Sequence, residues 1–216
     1  MTARRDHPFL WITWLSRVMV GEKSCSWASW FRAHFQDYAK VPGDFDEARW
    51  RMDHTRLLSE LVTERERAGE EVRIEGQNRF RFEHKSGLVV AGTPDLVARG
   101  SETVVFDCKT GRQKASDLAQ VMLYMYFLPR SRPEYLGEDL SGSVVYRDYR
   151  NKIPARAIDD EFSDDVEYWL RILGGETPAR RVPSEMECRF CDITSADCGD
   201  RIEFSVSALE AGVRTP

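Results

Sequence analysis

Four of the chain's five cysteines are split between its two ends, with Cys25 near the start and Cys188, Cys191 and Cys198 near the finish. A Cys-x2-Cys pair puts two sulfurs within reach of one centre, and a tight turn lets a third approach, so the spacing suggests a shared metal or cluster. Linking positions so far apart pins the terminal tail to the first helix and restricts the unfolded chain much as a crosslink does. The alternative leaves Cys25 as a small buried hydrophobe and gives the late triplet a zinc ion, with His34 or His84 as the additional ligand. An odd count leaves one cysteine over. That one is Cys108, whose neighbours put its side chain on the core side of a strand.

Between the cysteines the apolar pattern alternates between helix and strand. Trp27, Trp30, Phe31, His34, Phe35 and Tyr38 recur at helical spacing, so a helix starting near Cys25 presses an aromatic stripe onto the core. Pro42 and Gly43 interrupt it, and a second helix follows with Trp50, His54, Leu57, Leu58, Leu61 and Val62 on one face. Strands are expected at about 72 to 84, 88 to 98 and 103 to 109, read as a meander. A helix from about Ser116 to Leu128 stops at Pro129, a strand covers Ser143 to Tyr149, and a last helix carries Phe162, Val166, Trp169, Leu170 and Leu173 on one face. These elements predict an α/β chain of one domain over 1–216, with a core at about 54–150 and a cysteine lobe formed by about 20–40 and 175–205.

At 216 residues and 42% hydrophobic composition there is enough apolar material for one sizeable core. No apolar run approaches the roughly 18 residues a bilayer span needs, and the start lacks a signal peptide's order of charge and apolar run, so a cytoplasmic protein without a membrane partner is expected. Five cysteines in that setting point to metal ligation or burial rather than disulfides. The net charge of −5 argues against a broad polyanion-coating surface. Its distribution is uneven: from Arg79 to Lys114 seven Lys or Arg face four acids. A locally basic centre suits a groove for nucleic acid.

That stretch also holds the chemistry. Side chains of a strand alternate faces, so Asp107 and Lys109 project together from a surface while Phe106 and Cys108 point the other way. Asp95 follows the turn Gly92-Thr93-Pro94 on a neighbouring strand about 4.8 Å away, close enough for two carboxylates to share a cation. Unaided they would repel. A hard divalent ion relieves that repulsion, polarises a phosphoryl oxygen and generates hydroxide from water, and Lys109 beside it can orient the water or neutralise developing charge. His54, if it reaches the same place, adds an imidazole and makes manganese a better fit than an all-oxygen magnesium site. Gln120 and Tyr124, one helical turn apart, share a face from which they can flank a phosphate or hold Lys109.

In this order and spacing, His54, Gly92 to Asp95, Asp107 to Lys109, and Gln120 with Tyr124 resemble the motifs of the PD-(D/E)xK nuclease superfamily, in particular its RecB-like branch. The resemblance runs from about Cys25 to Cys198. Within that branch the CRISPR-associated iron-sulfur exonucleases and the AddB-type nuclease domains also carry one early and three late cysteines. The resemblance implies a restriction-endonuclease-like core, a central mixed β-sheet flanked by helices, with N-terminal helices and C-terminal tail joined by a metal cluster. It implies that Asp95, Asp107, Lys109, Gln120 and Tyr124 are catalytic and that His54, Asp95, Asp107 and Cys108 form the Mn2+ or Mg2+ site. Cys25, Cys188, Cys191 and Cys198 would hold a [4Fe-4S] cluster, with zinc as the alternative. The expected function is cleavage of DNA, at single-stranded ends, in foreign-DNA defence such as CRISPR spacer acquisition alongside integration proteins, or in repair. A restriction-type endonuclease and a non-catalytic iron-sulfur scaffold are the rivals. One departure is that the arginine-rich stretch usual beside the first cysteine is reduced to Arg32.

Overall fold

The computed structural model describes residues 1–43 and 45–203. The last two residues of the expected cysteine lobe, 204 and 205, lie outside the described residues. The chain begins with β1 (Ala3–Arg4), β2 (Phe9–Trp11), α1 (Ile12–Met19), α2 (Ser26–His34) and β3 (Phe35–Gln36), and β1 pairs antiparallel with β3. Next come α3 (Glu47–Arg67), β4 (Glu71–Ile74), β5 (Phe80–Glu83), β6 (Val89–Gly92), β7 (Leu96–Arg99) and β8 (Thr103–Cys108). The remainder is α4 (Ala115–Ser131), β9 (Ser141–Val145), β10 (Arg150–Ile153), α5 (Asp160–Gly174) and α6 (Glu185–Arg189).

The central sheet has the order β10-β9-β8-β7-β4 and is mixed, because β8 and β9 run parallel while its other neighbours are antiparallel. A second sheet has the order β2-β6-β5, with β2 parallel to β6. The expected meander is therefore corrected: each of the segments 72–84 and 88–98 is two strands that enter different sheets. A turn at Glu75–Asn78 separates the first pair, held by Asn78, whose buried amide donates to Arg73 O at 2.7 Å and accepts from Tyr135 Oη at 3.0 Å. Thr93-Pro94-Asp95 separates the second, where proline has no N–H to offer a ladder.

Alternation along β8 gives the sheet two faces. Phe106 and Cys108 pack with Leu58 and Leu61 of α3, whereas Val105 joins Val97, Val144 and Val121 of α4. The central sheet is thus covered by α3 on one side and α4 on the other. Gly142 lets α4 approach, since a Cβ there would stand 2.6 Å from both Met125 Sδ and Val121 Cγ1. α4 does not stop at Pro129 but runs to Ser131. With only two helical residues left after it, the missing N–H costs one hydrogen bond near an end that frays anyway.

The expected inward face of α3 is only partly buried: His54, Leu58 and Leu61 are covered, but Trp50, one turn earlier, is 42% exposed. The segment after α5 returns along α2. Trp27 N–H donates to Arg180 O at 3.0 Å, Arg32 Nε to Asp192 Oδ1 at 2.9 Å, and Lys40 forms a β-bridge with Ile193. Among the described residues no helix is long and apolar enough to cross a membrane.

Candidate active site

The antiparallel register of β7 on β8 sets Leu96 opposite Phe106, so one step further Asp95 enters β7 beside Asp107 as it leaves β8. The turn that delivers Asp95 needs Gly92 for space, because a Cβ there would meet the Phe80 ring at 2.7 Å and Ile12 Cγ1 at 2.8 Å. Asp95 is then tied down through one oxygen. Its Oδ2 accepts from the Cys108 amide at 2.6 Å and lies 3.1 Å from His54 Nε2, which joins α3 to the ends of both strands. No other hydrogen bond to Asp95 is made by a described side chain, which leaves Oδ1 uncommitted.

Asp107 points toward α4. Its Oδ1 accepts from Gln120 Nε2 at 2.9 Å, and Lys109 Nζ lies 2.7 Å from its Oδ2. Lys109 also donates to Gln120 Oε1 at 3.0 Å. Gln120 Nε2 gives its second hydrogen to Tyr124 Oη at 2.9 Å, and the Tyr124 hydroxyl donates onward to Thr93 O at 3.4 Å. The helical spacing of Gln120 and Tyr124 thus closes a circuit back to the Asp95 turn. Asp107 and Lys109 do share one side of β8, but the surface position expected for Asp107 is corrected: it is 3% exposed, covered by α4.

Burial raises the Asp107 carboxyl from its ordinary value; Lys109 opposes this and the charge of Asp95 adds to it. Burial alone would lower Lys109, but the Asp107 carboxylate outweighs it and the ammonium is held charged. The hydrogen bond to Asp95 raises His54 against the effect of burial. Burial, then Asp95 and Asp107, push the Cys108 thiol up, keeping it neutral on the α3 side of the strand. Two carboxylates forced together, one of them buried, form a site whose repulsion a cation would relieve.

These residues line a cleft of about 1220 Å³ that also takes in Thr13, Arg79, Arg112, Lys114 and Asp117. Asp117 is a site residue the sequence did not bring forward. It accepts from the Lys114 amide at 3.0 Å at the start of α4 and from Tyr146 Oη at 2.8 Å. Its signal was only an acid in the first turn of a helix, which most helices share.

Cys25, Cys188, Cys191 and Cys198 come together around a separate small pocket with Trp27 and Arg32. All five cysteines are free. Val182 N–H points at Cys25 Sγ from 3.5 Å, Ile202 N–H at Cys188 Sγ from 3.4 Å and Arg32 Nη2 at Cys191 Sγ from 3.7 Å. Burial raises the Cys198 thiol, and Cys191 and Cys25 add to this. The two histidines considered as zinc ligands are used elsewhere: His34 Nε2 bonds to Leu173 O at 3.0 Å, and His84 to Ser86 Oγ at 2.7 Å and Glu167 Oε2 at 3.2 Å. Among the described residues, as placed, no group of three or more His, Cys, Asp or Glu side chains is set to hold a metal ion.

A family model described as the PD-(D/E)XK nuclease superfamily matches residues 22–196. Among solved structures, the crystal structure of SSO0001 is similar at 15% identity and a TM-score of 0.45, over 93% of this chain and 91% of that one. An alkaline exonuclease, LHK-Exo from Laribacter hongkongensis, is similar at 13% identity and a TM-score of 0.45, over 77% of this chain and 88% of that one. No curated protein sequence matches the chain.

Proposed function

The chain belongs to the PD-(D/E)XK nuclease superfamily, and from that membership we propose that it is a RecB-like, divalent-metal-dependent deoxyribonuclease acting on single-stranded DNA ends, in foreign-DNA defence such as CRISPR spacer acquisition or in repair. The observation that carries the reading is the meeting of His54, Asp95, Asp107 and Lys109 in one cleft, with Gln120 bonded to both members of the Asp107–Lys109 pair.

His54 through Nε2, Asp95 and Asp107 through their carboxylates, and Cys108 through its main-chain oxygen would hold the cation; the imidazole favours Mn2+ over Mg2+. Bound there, the ion supplies Lewis-acid polarisation of the scissile phosphoryl group and lowers the pKa of water. The other residues position and balance charge. Lys109, whose ammonium Asp107 favours, stands where its positive charge can orient the water or neutralise the developing phosphate oxyanion. Gln120 fixes the rotamers of both Asp107 and Lys109, and Tyr124 fixes Gln120.

The same reading assigns Cys25, Cys188, Cys191 and Cys198 to a [4Fe-4S] cluster. Its support is that all four cysteines line one pocket, with N–H donors aimed at the sulfurs of three of them. Such hydrogen bonds stabilise thiolates that ligate iron.

The test is incubation of anaerobically purified protein with end-labelled single- and double-stranded DNA, with and without Mn2+. The expected outcome is metal-dependent shortening of single strands from their ends, absent in Asp107→Asn. Cleavage by Asp107→Asn at the parental rate would remove the active-site assignment. Release of internal fragments from circular single strands would replace the exonuclease by an endonuclease.

A further inference from the structure

The mouth of the cleft carries two large aromatic side chains that the core does not use. Phe45, just before α3, is 69% exposed, and Trp50, in its first turns, is 42% exposed. Their ring centroids are 6.1 Å apart, and Trp50 in turn stacks on His54 at 5.1 Å with 29° between planes. His54 is the residue bonded to Asp95. A file of three rings therefore leads from solvent to the carboxylates. Scattered exposed apolar residues are ordinary on a protein surface, but two adjacent aromatics at the rim of a charged cleft are not scattered.

The charges around them select a partner. Arg79, Arg112 and Lys114 line the same cleft, and among the described residues the neighbouring ion pairs are made by Arg73 and Lys109 instead. Of the six acids that line it, Asp46 caps α3, Asp53 pairs with Arg56, Asp117 caps α4, and Asp95 and Asp107 are paired with His54 and Lys109, which leaves Glu75. Open cations beside open ring faces fit a polymer of phosphates and unpaired bases. A duplex would hide its bases from such rings.

Resting on the nuclease reading, we propose that Phe45 and Trp50 form a nucleobase platform for single-stranded DNA, stacking the bases next to the scissile phosphate while Arg79, Arg112 and Lys114 hold the backbone. The platform selects unpaired strands without reading sequence, since every base offers a π-face. Because Trp50 rests on His54, a base stacked on it also restrains the imidazole.

The experiment measures equilibrium binding, in EDTA, of fluorescent oligodeoxythymidylate and of an abasic oligomer of equal length and charge. Wild-type protein should bind the base-bearing strand more tightly. Trp50→Ala should lose on the order of ten-fold or more in affinity for it, Phe45→Ala a smaller factor, and neither should change for the abasic strand. Trp50→Phe, which keeps a ring over His54, should retain most of the preference. Equal losses on both strands, unchanged binding by all three variants, tighter binding to blunt duplex, or no binding at all would each overturn the platform. Cleavage with Mn2+ separates the two readings. A wild-type protein that degrades base-bearing and abasic strands alike loses only the platform, whereas base-dependent binding with no cleavage of any DNA would sink the nuclease reading and leave the platform standing.

Discussion

Gln120 is the residue on which the site's geometry depends most. It is 7% exposed, and its one amide serves Lys109, Asp107 and Tyr124. The direction of the amide is set by charge, oxygen to the ammonium and nitrogen to the carboxylate. Gln120→Ala leaves three polar groups short of a partner in a covered place, and about 1–3 kcal/mol of stability should go with it, measured by urea unfolding. Cleavage should fall mainly through kcat, because the proposed DNA-binding rim is untouched. Asp107→Asn, an isosteric change, should instead abolish cleavage, by several orders of magnitude, while the circular dichroism spectrum stays that of the parent. The residues around Gln120 could be picked out of the sequence because strand alternation and helical spacing each put two of them on one side. The covering of Asp107 could not, since it depends on how closely α4 approaches at Gly142.

At the scale of elements, α3 is fastened to the outer strand β10 by Glu64, whose Oε1 accepts from Arg150 Nη1 at 2.7 Å. The hydrogen bond to Arg150, against some burial and with help from Arg65, holds the Glu64 carboxyl down at about 2 from an ordinary 4.5. Its folded pKa is depressed, so the contribution is complete above about pH 4.5 and is lost as pH falls toward 2. Both side chains are more than a third exposed, which limits the effect to about 1 kcal/mol or less. Unfolding free energies across that window should show a smaller acid loss in Glu64→Gln than in the parent, and the difference should shrink at high salt. Elements were legible in proportion to their length and caps. α3 and α5 begin at Asp46 and Asp159, whose side chains accept from their own first turns, and both helices stand where periodicity put them. α1 and α2 are both short and lack a side-chain cap, and only α2 has an aromatic stripe to announce it. The four-residue strands β4 to β7 read in sequence as two longer ones, because nothing local says that a chain changes sheets.

For the whole molecule, the segment after α5 meets the amino-terminal part of the chain at α2. The proposed cluster makes a clear division among the cysteines. Cys25→Ser should come off the column without iron and be cut by protease between α5 and α6, whereas Cys108→Ser, altered in the α3 core and not at the pocket, should keep both iron and brown colour. One zinc and no iron in the parent would end the cluster assignment and leave the cleft chemistry as it is. The lobe around that pocket is closed by partners very far apart in sequence: Thr2 with Asp197, 195 residues away, Ser24 with Glu187 at 163, and Arg32 with Asp192 at 160. The central sheet, by contrast, is complete once Ile153 has been made. Contacts with such long loops to close form slowly and late, and during synthesis the amino-terminal part folds first. The lobe should therefore be the last region to assemble and the first to open, so that iron would reach a newborn chain whose sheet is already built.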